Sequence, residues 1–349
     1  MIAPRAVQNI TNISLCYNFR MQYDVLAIGD TAIDDFIRIK DARVNCDIND
    51  EHCLLSLRFG DKVPFEFNEV VPGVGNAANA AVACARLGLS AAFRTHVGDD
   101  DRGKMCTDAF AKNGVSNELV VRESGKNTNY HYVLWYESER TILIKHEEYA
   151  YTMPALAEEP KWIYLSSMAE HSLPYHQEIA RYAREHPSVK IAFQPGTYQM
   201  KFGVEALRDI YTHTELFFCN KEEAQRILGS DEHDERKLLE GVKKLGPKIP
   251  IITDGRKGAY AMDGSGAWHI PMYPDPKPPL ERTGAGDASS STTVAYLALG
   301  YSLPESLMRG MINSASVVQE IGAQKGLLNR DTIEDWYDRR PADFKPQAL

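Results

Sequence analysis

The chain has 349 residues, 44% of them hydrophobic and 25% charged, the balance of a soluble globular protein whose core is not limited by size. Its net charge of −9 comes from acidic residues spread along the chain, with no basic stripe to hold a nucleic-acid backbone and no apolar run long enough to span a bilayer. Neither nucleic acid nor membrane is therefore expected as a partner. The six cysteines (Cys16, Cys46, Cys53, Cys84, Cys106 and Cys219) include no C-x-x-C pair, so they read as reduced thiols of a cytoplasmic protein.

Residues 1–20 lack the continuous apolar stretch of a signal peptide and read as a disordered extension ahead of Met21, dispensable for folding and activity. An apolar strand at 25–28 closes on Gly29, and the pair Asp34-Asp35 follows near its carboxyl end, where ligands of open α/β sheets gather. Asp34 could accept two sugar hydroxyls, or cap a helix. Short alternating pieces within 36–71 predict a small β-layer that covers a site, or a plain surface hairpin. Pro72-Gly73-Val74-Gly75-Asn76 then opens an alanine-rich helix over 77–87, with Asn79 in its first turn as a ligand contact or an ordinary polar residue. Asp99-Asp100-Asp101 precedes a helix over 102–114, and a helix N-terminus attracts acids without any metal. Two β-rich runs over 130–144 flank Glu139-Arg140 and return to the edge of the site.

The second half alternates strand and helix from 162 to 253, the pattern of a parallel sheet covered on both faces. Where one strand becomes a helix, Asn220 and Glu223 could organise a hydrated magnesium ion, or could form a helix-capping box; the residues alone allow both. Gly255 and Gly258 bracket a later turn. The stretch ERTGAGDASSSTTVAYLAL, residues 281–299, is a glycine turn running into a helix of small residues. Its successive N–H groups, at Gly284, Ala285, Gly286 and Asp287, could converge on an anion with the helix dipole behind them. A carboxylate in that turn suits removal of a proton from an attacking hydroxyl, so the spacing reads as phosphoryl transfer to an alcohol; a capped helix is the bland alternative.

In order and spacing these pieces resemble the ribokinase-like, PfkB-type carbohydrate kinases, over nearly the whole chain from about residue 23 to 330. Gly75, Asn79, Ala81, Gly88 and Gly98 match one signature of that family, and Thr283, Gly284, Ala285, Gly286 and Asp287 match the other. Val74, Glu281 and Arg282 depart from the two patterns. The resemblance implies a single α/β domain over 21–340, with a central mostly parallel sheet flanked by helices, lid strands within about 36–71 and 130–144, and a tail at 341–349. It implies ATP and Mg²⁺, and transfer to a hydroxyl of a sugar, with nucleosides as the alternative acceptor and a non-catalytic sugar-binding regulator as the rival. By position, Asp287 is the general base above the anion hole of residues 284–287, and Asp34, Gly75, Asn79 and Arg140 hold the acceptor. Thr253, Gly255, Gly258 and Asn313 line the nucleotide, and Asn220 and Glu223 act on magnesium through water. Glu281 marks the place of the family's monovalent cation (K⁺), which the Glu281 and Arg282 departures put in question. Lid strands of this family also pair between subunits, which points to a homodimer.

Overall fold

The computed structural model of the protein describes residues 22–46, 53–137 and 139–349, so the expectation for residues 1–20 lies outside the described part. The N-terminal half contains β1 (Val25–Ile28), β2 (Ala32–Ile39), β3 (Arg43–Asn45), β4 (Leu54–Ser56), β5 (Phe65–Val74), α1 (Asn76–Arg86), β6 (Ala91–Gly98), α2 (Asp101–Lys112), β7 (Val120–Glu123), β8 (Tyr130–Tyr136) and β9 (Glu139–Leu143). Strand and helix then alternate through β10 (Trp162–Leu165), α3 (Leu173–Glu185), β11 (Lys190–Phe193), α4 (Thr197–Ala206), α5 (Arg208–His213), β12 (Thr214–Asn220), α6 (Lys221–Leu228), α7 (Glu235–Lys244) and β13 (Ile249–Thr253). The chain ends with β14 (Ala259–Met262), β15 (Ala267–Ile270), α8 (Ala285–Ala298), α9 (Leu303–Val317), α10 (Arg330–Asp338) and β16 (Gln347–Ala348).

Ten strands form the main sheet in the order β16-β15-β14-β13-β12-β11-β10-β1-β6-β7. It is parallel from β13 to β7 and antiparallel from β13 out to β16. The apolar runs VLAI of β1 and WIYL of β10 are buried on both faces, as a sheet covered by helices on two sides requires. One core cluster lies on the α1/α8/α9 side, with Ala80, Tyr164, Val294 and Ile312, and the other on the α3/α7 side, with Ile163, Ile179, Phe193 and Leu239. Helix α8 is buried over most of its length. Its hydroxyls are satisfied locally, Ser291 donating to Asp287 O and Thr293 to Ser289 O, so a Ser/Thr-rich helix can sit in the interior.

A second sheet, β5-β2-β8-β9, stands over the carboxyl ends of the parallel strands. It unites the two predicted lid segments through β2 and β8, which run parallel with Asp34 beside His131. The tail, residues 341–349, is tied to the main sheet: β16 pairs with β15, and Leu349 N donates to Ala267 O. One expectation is corrected, that the cysteines are reduced thiols. Cys46 and Cys53 form a disulfide, because the β3–β4 register that pairs Asn45 with Leu54 brings the next two residues face to face. Cys84, Cys106 and Cys219 are buried free thiols. Asp100 caps α2, accepting from Gly103 N and Thr128, the helix-start role expected of an acid there. Among the described residues no helix is long and apolar enough to cross a membrane.

Candidate active site

A cleft of about 560 Å³ opens between the lid and the carboxyl edge of the main sheet. Strand ends supply its floor: Asp30 after β1, Ser167 after β10, Gln194 after β11, Asn220 at the end of β12 and Thr253 at the end of β13. This is the edge at which open parallel sheets bind ligands. The 282–287 turn forms one wall and the lid residues Asp34, His131, Arg140 and Ile142 the other.

Asp287 sits in the first turn of α8, buried, and its carboxylate is gripped by amides. Asn76 Nδ2 donates to Oδ1 at 2.8 Å, Gln194 Nε2 to Oδ1 at 3.0 Å and Asn79 Nδ2 to Oδ2 at 2.7 Å. Behind them, Gln324 Nε2 donates to Asn79 Oδ1 at 2.9 Å, and the Tyr164 hydroxyl donates to Gln194 Oε1. Burial, and next the charge of Asp287, hold the Tyr164 phenol well above its ordinary range, so it remains a donor. At the head of α8, Gly284 has φ +80°, and a Cβ there would lie 2.3 Å from Ala323 Cβ; only glycine fits the turn. The first N–H groups of a helix have no acceptor within it; here Ala285 N donates to Arg282 O at 3.5 Å, and Gly284, Gly286 and Asp287 line the cleft beside the carboxylate.

On the lid side His131 Nδ1 donates to Asp34 Oδ1 at 3.1 Å, while its Nε2 is buried without a partner. His146 Nδ1 lies 3.5 Å from Asp30 Oδ2, and Asp30 also accepts from the Tyr151 hydroxyl at 2.7 Å. The Arg140 Nε and Thr283 Oγ1 atoms in the same cleft are buried and unpartnered, groups a ligand would satisfy.

The expected residues fall into three groups. Asp34, Gly75, Asn79, Arg140, Asn220, Glu223, Thr253, Gly284, Gly286 and Asp287 line the cleft, with Ala285 between them in the turn. Asn79 is nonetheless engaged on both sides of its amide. Asn220 and Glu223 form the reciprocal capping box, Glu223 N donating to Asn220 Oδ1 and Asn220 N to Glu223 Oε2, both at 2.8 Å. Burial raises the Glu223 carboxyl above its usual range. Gly255 and Gly258 lie in the turn beyond Thr253, outside the wall. Asn313 does not reach the cleft: fully buried in α9, it donates to Thr292 Oγ1 and accepts from Leu328 N, tying α8 and the 328 loop together. Glu281 is also off the wall, its carboxylate accepting from Thr283 N at 2.7 Å and Gly322 N at 2.9 Å, which fastens the turn to the loop before Ala323. Among the described residues no group of three acidic, His or Cys side chains forms a metal cage.

Residues 50–330 match the pfkB family of carbohydrate kinases. The chain belongs to that family. Among curated relatives, the ATP-dependent 6-phosphofructokinase of Thermoanaerobacterium thermosaccharolyticum is 25% identical over 91% of this chain and 94% of its own length. Among solved structures, Arabidopsis thaliana ribokinase complexed with ribose and ATP superposes with a TM-score of 0.76 at 17% identity, covering 90% of this chain and 98% of that one. Methanocaldococcus jannaschii nucleoside kinase gives 0.72 at 17% identity with the same coverages. The fold is thus ribokinase-like, a large mostly parallel sheet flanked by helices, in a family of carbohydrate and nucleoside kinases. The pfkB signatures carried Asp287, Gly75 and Asn79 into the cleft; Asn76 is an unmatched position within the first, and Gln194, His131 and His146 lie outside both. Only the position of Gln194 at a strand's carboxyl end could have drawn attention to it in the sequence.

Proposed function

We propose that the protein transfers the γ-phosphoryl group of ATP to a hydroxyl of a sugar or sugar-like acceptor, with Asp287 as general base. The observation that carries this reading is a buried carboxylate, held by three amides, in the first turn of a helix whose head lines the same cleft at Gly284, Gly286 and Asp287. The carboxylate takes the proton of the attacking hydroxyl, and the N–H groups of residues 284–287 bear the charge of the group in transfer. Asp34 and His131, with Arg140 and Gly75, bind the acceptor, and Thr253 borders the nucleotide. Asn220 and Glu223 fit a water-mediated Mg²⁺, since Glu223 has one oxygen outside its capping box; the ion would neutralise phosphate charge. In this reading the protein works in the cytoplasm; the Cys46–Cys53 pair is the one feature that argues for an oxidising surrounding.

A nucleoside acceptor is the second reading, favoured by the apolar shelf of Ile142, Ile144, Tyr198 and Met200 in the same cleft, on which a base could lie. A non-catalytic sugar-binding role leaves the grip on Asp287 without purpose. ADP release, followed with single sugars, sugar phosphates and nucleosides in turn, tests these readings. Release with none of them, while the sugars still bind, would favour the regulator.

A further inference from the structure

We infer that Gln194 is a positioning residue which, together with Asn76, saturates one oxygen of Asp287 and leaves the other, Oδ2, as the atom that takes the acceptor's proton. This rests on the reading of Asp287 as the base. Each carboxylate oxygen presents two lone pairs. Both on Oδ1 are taken, by Asn76 at 2.8 Å and Gln194 at 3.0 Å, whereas among the described residues Oδ2 accepts only from Asn79, leaving one lone pair for a hydroxyl. The orientation of Gln194 is forced. A carboxylate only accepts, so the NH₂ must face Asp287, and Oε1 must face Tyr164, whose hydroxyl donates to it. Tyr164 is fully buried in β10 and also bonds Ser290 Oγ at 2.7 Å. Its ring cannot follow solvent, so the chain Tyr164–Gln194–Asp287 fixes the carboxylate's rotation from inside the sheet. Asn79 is fixed in the same manner by Gln324 from the opposite side.

The test is steady-state ADP release with a working acceptor. Gln194→Leu should lower kcat about 10- to 100-fold with KM for either substrate unchanged, since the loss falls on the orientation of the base and not on binding. The near-isosteric Gln194→Glu, which puts an acceptor where the NH₂ stood, should lose at least as much. Melting temperature controls for folding, and Gln194→Glu carries the test if the leucine variant is unstable. Full kcat in the folded variants, or a rise in KM with kcat kept, overturns the inference. If Asp287→Asn keeps full turnover, the base reading itself fails; if it is inactive while the Gln194 variants turn over normally, only the positioning role fails.

Discussion

At the level of single residues, Asp287 is surrounded by neutral amides. Asp287→Asn keeps the shape of the side chain and should melt normally, yet lose the proposed base. Its kcat should fall about 10²–10⁴-fold, the usual contribution of a positioned general base, with KM for either substrate little changed. Steady-state ADP release checks this, and near-normal turnover would reduce Asp287 to a helix residue. Asp287 and Asp34 were legible in the sequence because each is attached to a local signal, a glycine turn or a strand end. Gln194 and His131 were not, since their roles depend on partners 93 and 97 residues away. Asn313 misled for a related reason. A polar residue of a matched family can be consumed by packing, and its burial between Thr292 and Leu328 is a tertiary fact.

Among the elements, the β-α alternation from β10 to β13 was readable because apolar strands and periodic helices repeat at short range. The lid was readable only as two separate segments. Its unity comes from the parallel pairing of β2 with β8, which no local pattern specifies, and the hairpin register that joins Cys46 to Cys53 is equally non-local. The lid sheet leaves Phe65, Phe67, Tyr132 and Leu143 exposed, an unusual concentration of apolar side chains on a small sheet. In the proposed reading this surface pairs two subunits. Light scattering at micromolar concentration should give about twice the 39.1 kDa chain mass, and Leu143→Glu should halve it. A monomer before mutation removes the dimer and leaves the lid in place.

For the molecule as a whole, His176 provides a pH-dependent element outside the lining of the cleft. It is buried in α3, its Nδ1 donating to Ser172 O at 2.8 Å, and burial lowers its pKa from 6.5 to about 4. The unfolded chain thus binds the proton first, so stability is full above about pH 6.5 and drains away as pH falls towards 4. The loss amounts to about 3 kcal/mol at most. Melting temperatures across that window should fall less steeply in His176→Leu than in the unmutated protein; equal slopes would assign the acid sensitivity elsewhere. A larger coupling lies at Gly75. The lid strand β5 ends at Val74 and α1 begins at Asn76, so one glycine, with φ +124° and no room for a Cβ beside Asp30 O, separates the lid from Asn76 and Asn79. In the proposed reading, a tilt of the lid would bear through that joint on the two amides that hold the base, and Gly75→Ala should change kcat and KM together, as hinge substitutions do. A change in KM alone would mean that the two move independently.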